Sequence, residues 1–330
     1  MIMGEESVYE GTVVKLDRGY PLVRIDGIGE DVRCEHATSL VKESEFRAVV
    51  GDRVMVELPD SHDKGIITET LPRRTSFVRK DPTERALPQT LAANFDIVLV
   101  AQPIEEVNVR RLERELVLAH ETGVEVVVVL TKADLMASPE EVERVRRRID
   151  GFIGNDELLV VSDKDPASVE SLARKIAHDD RTAVLIGRSG VGKSSLVNML
   201  LGYDLQATTP VRGDGKGRHT TVSREIVELP HGGRIIDMPG VRGLGLWDAE
   251  EGIEAAFADV EKWAGDCRFR DCTHENEPGC AVRAALEAGD LSPERFESYQ
   301  RLRDESRQVK TRRVEAARIR SRRGHPRRRG

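Results

Sequence analysis

From residue 8 to about residue 71, apolar and polar positions alternate in short runs, at 11–16, 21–25, 31–34, 52–58 and 65–69. Turn-forming groups such as Asp17-Arg18-Gly19, Asp26-Gly27 and Gly51-Asp52 separate them. A period of two over a few residues marks a half-buried strand, and five such strands in so short a stretch predict a small antiparallel barrel of OB type. Residues 71–89 carry Pro72, Arg73, Arg74, Arg79, Lys80, Pro82 and Pro88, and so read as a linker with no core element. From Asn94 the pattern changes. Nearly continuous Val, Ile and Leu runs at 96–101, 124–130, 158–161, 183–186 and 234–238 alternate with helix-period stretches at 109–120, 140–149, 167–177 and 193–201. Strands apolar on both faces, separated by amphipathic helices, predict a parallel sheet covered on both sides. Beyond Gly245 the chain reads as helical and cysteine-bearing, ending in a charged helical stretch at 293–319.

At 330 residues the chain exceeds one ordinary core, and these changes of texture divide it at 1–75, 76–245 and 246–330. Aromatic residues make up only 4%, and the barrel offers little beyond Tyr9, Tyr20 and Phe46, which speaks against a base-stacking platform there. No apolar run approaches the ~18 residues of a membrane span, and no signal-like segment opens the chain, so a cytoplasmic protein without a membrane partner is expected. The net charge of −7 hides a split. Residues 301–330 hold thirteen Lys or Arg against three acids, a net of +10, which leaves −17 on the rest. A basic arm on an acidic body fits a polyanionic partner through counterion release; a solvated helix end with a disordered tail fits as well.

Gly187-Arg188-Ser189-Gly190-Val191-Gly192-Lys193-Ser194 matches the GxxxxGK[ST] phosphate loop in full, between an apolar strand and a helix that continues through Ser195. Its glycines allow backbone N–H groups to curl around phosphate, Lys193 neutralises the β and γ oxygens, and the Ser194 hydroxyl is placed for magnesium. Thr131-Lys132-Ala133-Asp134 follows another strand end and has the form of the guanine-reading motif, in which the Asp accepts from guanine N1–H and N2–H₂. Ser162-Asp163-Lys164 occupies the position of the loop that backs the base. Asp237-Met238-Pro239-Gly240 fits D-x-x-G, with Asp237 near magnesium and the Gly240 N–H at the γ-phosphate. Between them lies the glycine-rich, basic stretch 212–221. Cys267, Cys272, His274 and Cys280 supply three thiolates and one imidazole within fourteen residues, a closed soft set suited to one tetrahedral, structural Zn²⁺. The remaining cysteine, Cys34, lies in a barrel strand and reads as a small buried hydrophobe.

The base-reading motifs precede the phosphate loop, the reverse of the ordinary order in small GTPases. With this permutation and the zinc spacing, nearly the whole chain resembles the circularly permuted small ribosomal subunit biogenesis GTPases (RsgA). The resemblance implies an N-terminal OB-type barrel, a circularly permuted α/β P-loop GTPase core and a C-terminal α-helical zinc-binding domain. It implies hydrolysis of Mg²⁺-bound GTP to GDP, stimulated by the small ribosomal subunit during its late maturation, with 16S-type rRNA as the contacted surface and a monomeric protein. Thr221 matches the family's further magnesium ligand, and His219 its proposed catalytic residue; a partner-contacting loop histidine is the alternative. Val241 follows Gly240 where many GTPases keep a water-orienting glutamine, so slow intrinsic turnover is expected. Thr131 departs from the more usual Asn, which ties the base loop to the phosphate loop, so weaker guanine affinity is expected. Two other readings stay open: a nucleotide-gated RNA-binding module in which hydrolysis is incidental, and a P-loop kinase or ATPase.

Overall fold

The computed structural model describes residues 7–17, 20–42, 47–59, 64–81, 88–202, 224–238 and 245–323. The N-terminal region comprises β1 (Ser7–Asp17), β2 (Tyr20–Ile25), β3 (Asp31–His36), the short helix α1 (Thr38–Lys42), β4 (Arg53–Leu58) and β5 (Gly65–Thr70). The strands run β1-β2-β3-β5-β4, and β4 pairs back onto β1, closing a barrel. β1 serves both neighbours because it is long and shifts register between Val13 and Lys15, which bends it around the barrel corner. Alternation turns Val13, Val23, Ile25, Cys34, Val54, Val56 and Ile67 inward. Cys34 is indeed a core residue, and burial pushes its thiol up to about 11. The pairing is antiparallel except between β3 and β5, which lie parallel.

The stretch that reads as a linker is in fact built into the core. β6 (Ser76–Lys80) and β7 (Pro88–Ala93) form an antiparallel hairpin whose Phe77 and Leu91 are fully buried. Proline and charge misled because of where they fall. Pro88 opens β7, a position a strand tolerates, and the nearly buried Arg79 donates to Gln89 Oε1 at 3.0 and 3.2 Å.

There follow β8 (Ile97–Pro103), α2 (Val109–His120), β9 (Glu125–Thr131), α3 (Pro139–Ile153), β10 (Glu157–Val160), α4 (Pro166–Ala177), β11 (Thr182–Ile186), α5 (Lys193–Leu201), β12 (Arg224–Glu228) and β13 (Arg234–Asp237). The strands β10, β9, β8, β11 and β13 are parallel neighbours in that order. A core lies on each face, one built with α2 and α3, the other with α4 and α5. β12 carries a mixed Arg-Glu-Ile-Val-Glu pattern and escapes a reading by apolar runs. It pairs antiparallel with β13 on one edge and with β1 on the other, through Lys15 opposite Glu225 and Leu16 opposite Arg224. Barrel and central sheet thereby share one sheet of eleven strands among the described residues.

The C-terminal region is helical: α6 (Glu250–Ala256), α7 (Ala258–Gly265), α8 (Ala281–Ala288) and α9 (Pro293–Arg323). The N-terminal half of α9 buries Phe296, Tyr299 and Leu302. α6 lies so close to α2 that a Cβ on Gly252 would stand 2.1 Å from the Val117 carbonyl oxygen. Arg114 of α2 holds both Glu305 carboxylate oxygens of α9, at 2.7 and 2.6 Å. The last part of the arginine-rich tail, 324–330, lies outside the described residues.

Candidate nucleotide site and metal centre

The phosphate-loop sequence follows β11 as its context requires. Gly187, Gly190 and Gly192 take φ of +147°, +87° and +96°, conformations that a side chain would strain, and the loop runs directly into α5. Arg188, Ser189 and Gly190 are exposed, Ser194 is half-buried and Ser195 exposed. The Lys193 side chain is buried and its Nζ donates to the carbonyls of Gly187 at 2.8 Å and Arg188 at 3.1 Å, so it folds back over its own loop. Burial lowers the Lys193 pKa, and the charges of Asp237 and Glu115 oppose that shift. Asp237 ends β13, directly across from Leu185 of β11, and is 5% exposed. Sheet register thus delivers it beside the start of the phosphate loop.

The base-reading motif meets this loop although it is encoded far ahead of it. β9 ends at Thr131, whose buried hydroxyl donates to the Val191 carbonyl, with the Gln102 carbonyl as a second acceptor at 3.2 Å. Lys132, at φ +61°, lays its chain across the loop and donates from Nζ to the Gly190 carbonyl at 2.8 Å. A Cβ on Gly192 would touch Thr131 Oγ1 at 3.4 Å. Threonine therefore makes a tie between the base loop and the phosphate loop of the kind that asparagine usually supplies. Asp134 sits half-buried in the 3₁₀ turn that follows. The neighbouring loop approaches from β10: Ala133 N–H donates to the Val161 carbonyl at 3.4 Å. Ser162 is half-buried; its N–H bonds to Ser168 Oγ at 3.2 Å and its Oγ accepts from Lys164 N–H at 3.1 Å, while Asp163 and Lys164 are exposed. Thr131, Lys132, Asp134, Lys193 and Asp237 are thus gathered along one edge of the sheet, at the carboxyl ends of its parallel strands. His219, Thr221, Gly240 and Val241, with the stretch 212–221, lie outside the described residues.

Two polar residues at this site were missed in the sequence. Gln102 at the end of β8 and Glu115 within α2 are 2% and 0% exposed, and the Gln102 carboxamide donates to Glu115 Oε2. Arg111 Nε donates to Glu115 Oε1 at 2.9 Å. Burial raises the Glu115 pKa, against the pull of Arg111, Gln102 and Lys193. The available signal was a charge amid the apolar positions Leu112, Leu116 and Ala119, at helix spacing on the buried face.

The four cluster residues converge in the C-terminal region, every ligand atom within 4.8 Å of the others. Cys267 Sγ lies 3.9 Å from Cys280 Sγ and 3.6 Å from His274 Nδ1, and Cys280 Sγ lies 3.5 Å from that nitrogen. A tetrahedron with zinc–ligand bonds of about 2.3 Å to sulfur and 2.0 Å to nitrogen has edges of roughly 3.5–3.8 Å, so the donor set fits one zinc ion. The loop is shaped to hold it. Glu277 accepts from the N–H groups of Thr273 at 2.9 Å, Glu275 at 3.0 Å and Asn276 at 3.1 Å, and Cys280 caps α8.

A base-reading loop that precedes the phosphate loop in sequence yet packs against it in space defines a P-loop fold of the circularly permuted GTPase class. Known proteins share it. The crystal structure of YjeQ from Thermotoga maritima superposes with a TM-score of 0.65 at 26% identity, covering 90% of this chain and 97% of that one. YloQ, described as a circularly permuted GTPase, gives 0.63 over 94% and 99%, a likeness of fold at 23% identity. The family model for the RsgA GTPase matches residues 70–247. A Streptomyces coelicolor protein called small ribosomal subunit biogenesis GTPase RsgA is 41% identical over 309 residues, 92% of this chain and 82% of its own. One of the same name from Xanthomonas euvesicatoria is 46% identical over 264 residues, 79% and 70% respectively. The chain belongs to the RsgA GTPase family.

Proposed function

We propose that this protein hydrolyses GTP to GDP and phosphate on the small ribosomal subunit, acting as a timer in the subunit's late maturation. The observation that carries the reading is the seam in which Thr131 and Lys132 bond to Val191 and Gly190, since it brings the loop of Asp134 against the loop that leads into Lys193. In this reading Asp134 accepts from guanine N1–H and N2–H₂, and the loop of Ser162, Asp163 and Lys164 backs the base. The amides of 187–195 receive the phosphates. Lys193 leaves the carbonyls of its own loop to neutralise the β and γ oxygens. Ser194, Asp237 and Thr221 would hold magnesium, which supplies charge neutralisation at the phosphates when bound. Gly240 N–H is assigned to the γ-phosphate, and His219 to the attacking water.

The C-terminal region is assigned to rRNA of the 16S type, together with the barrel. Zinc at Cys267, Cys272, His274 and Cys280 would serve as a folding element for a part of the chain with little core of its own. The division at 75/76 and 245/246, a cytoplasmic location and a monomeric state belong to the same proposal. A timer needs the segment after Gly240 to reach the RNA-binding part, and contacts just beyond it support this. Leu246 N–H donates to Glu305 of α9 at 3.5 Å, Arg313 Nη1 to Asp248 at 2.7 Å, and the Arg313 guanidinium lies 4.6 Å from the Trp247 ring centre.

The test is GTP turnover by the full chain with and without purified small subunits, with His219→Ala as control. Acceleration by subunits that the variant lacks is expected. An unchanged rate would leave a nucleotide-gated RNA-binding module, with hydrolysis incidental, as the better account.

A further inference from the structure

We propose that Glu115 is a positioning residue for guanine-nucleotide binding, holding through Gln102 the strand end on which the base loop and the phosphate loop meet. The inference rests on the nucleotide-site reading above and extends it to a helix that carries no nucleotide motif.

The end of β8 is the floor of the site. A Cβ on Gly187, the first phosphate-loop residue, would stand 2.7 Å from the Ala101 carbonyl oxygen, so the loop lies directly on this strand. The next residue, Gln102, faces two ways. Its carbonyl lies within reach of the Thr131 hydroxyl, the group that also bonds Val191. Its carboxamide donates to Glu115, whose other oxygen accepts from Arg111. A polar line therefore runs from α2 through Gln102 to the seam between the two loops, where the Gln102 and Val191 carbonyls share the one proton of the Thr131 hydroxyl.

A carboxylate is an expensive choice for this place. Glu115 is wholly buried on a helix whose other buried positions include Leu112, Leu116 and Ala119, and an apolar side chain there would cost less in desolvation. Without it the buried Gln102 carboxamide would lack that acceptor and the strand end would relax toward one. Both loops rest on that end, so their spacing, and with it the fit of base to phosphates, would widen together. No group in this line bonds to the reacting phosphorus, and Glu115 reaches Lys193 through its charge alone, so the loss of the hydrogen bonds falls on binding.

The test measures GDP and GTP affinity and turnover at saturating GTP for the full chain and its variants. Glu115→Ala is expected to raise the Kd of both nucleotides about tenfold, in keeping with one buried hydrogen bond lost, and to leave saturated turnover within about twofold. Glu115→Gln should restore affinity, because the Gln102 amide can turn over and both hydrogen bonds re-form. Gln102→Ala breaks the line from the strand side and carries the same test if Glu115→Ala does not fold; its effect and that of Glu115→Ala should not add. Wild-type affinity in Glu115→Ala or Gln102→Ala, a Glu115→Gln as weak as Glu115→Ala, or a fall in turnover with affinity intact would overturn the inference. Binding of GDP but not ADP by the wild type reads the site assignment separately. If that fails, both readings fall; if it holds and the variants bind normally, only the role of Glu115 is lost.

Discussion

Arg295, near the start of α9, is 4% exposed and bonds in three directions. It reaches Glu113 of α2 at 3.0 Å, both oxygens of Asp259 at 3.1 and 2.9 Å, and the Ala256 carbonyl at 2.5 Å, with its guanidinium 4.0 Å from the Phe257 ring centre. Arg295→Met removes these at once, and the two carboxylates respond differently. Asp259 is 45% exposed and rehydrates, whereas Glu113, at 1%, is left as a buried charge without its guanidinium. The expected loss is therefore set by Glu113, at about 3–5 kcal/mol, with roughly 0.5–2 kcal/mol more from the aromatic contact. Against total stabilities of about 5–15 kcal/mol this is a large fraction. Adding Glu113→Gln removes the stranded charge and should recover most of the first amount and none of the second. Both tryptophans, Trp247 and Trp263, lie in the C-terminal part of the chain, so denaturant unfolding followed by their fluorescence reports on this junction. If the two substitutions add to within about 0.5 kcal/mol, Glu113 is not the origin of the loss and the reasoning fails.

Thr131→Val keeps the shape of the base-loop seam but removes its hydroxyl, leaving the Val191 carbonyl without that donor. GDP affinity should fall roughly five- to a hundredfold by titration with a fluorescent nucleotide, while Thr131→Ser stays near wild type. Metal analysis should find one zinc per chain, lost in Cys280→Ala together with a lower unfolding temperature; a stable, metal-free wild type would contradict the assignment. His36 accepts from the Ala48 N–H through Nε2 at 3.1 Å, and burial, with the charge of Arg47, lowers its pKa from 6.5. Its folded value lies below its unfolded one, so its contribution is fully present above pH 6.5 and is lost as pH falls through the folded value. Unfolding at pH 7 and pH 5 should show a smaller acid-induced loss in His36→Gln than in the wild type; equal losses would remove His36 from the account.

The sequence disclosed most of what composition and period can carry. The barrel strands, the Val-rich parallel strands and the helix after the phosphate loop appear near their expected bounds, because burial on one face or on two leaves its own repeat. β12 and the β6–β7 hairpin did not. β12 is stabilised by the ladders on its two sides more than by its own side chains, and the hairpin buries Phe77 and Leu91 behind proline and charge that fall at tolerant positions. The phosphate-loop turn and the convergence of Cys267, Cys272, His274 and Cys280 were legible because each is a local spacing. The support beneath them was not: Gln102 and Glu115 are thirteen positions apart, and only the packing of α2 on the sheet makes them one unit. Thr131 shows a related limit, since its hydroxyl bonds to the Val191 carbonyl across sixty positions that no local motif connects.

The central claim is that residues encoded in reversed order surround one guanine nucleotide, and Asp134→Asn tests it most directly. GDP and xanthosine diphosphate should be competed against a labelled nucleotide on the wild type and on the variant. The wild type should prefer GDP, and the variant should prefer xanthosine diphosphate, with a reversal of at least about a hundredfold, since asparagine offers a donor where xanthine presents an acceptor. A variant that still binds GDP with wild-type affinity and rejects xanthosine diphosphate would place the base elsewhere and contradict the account.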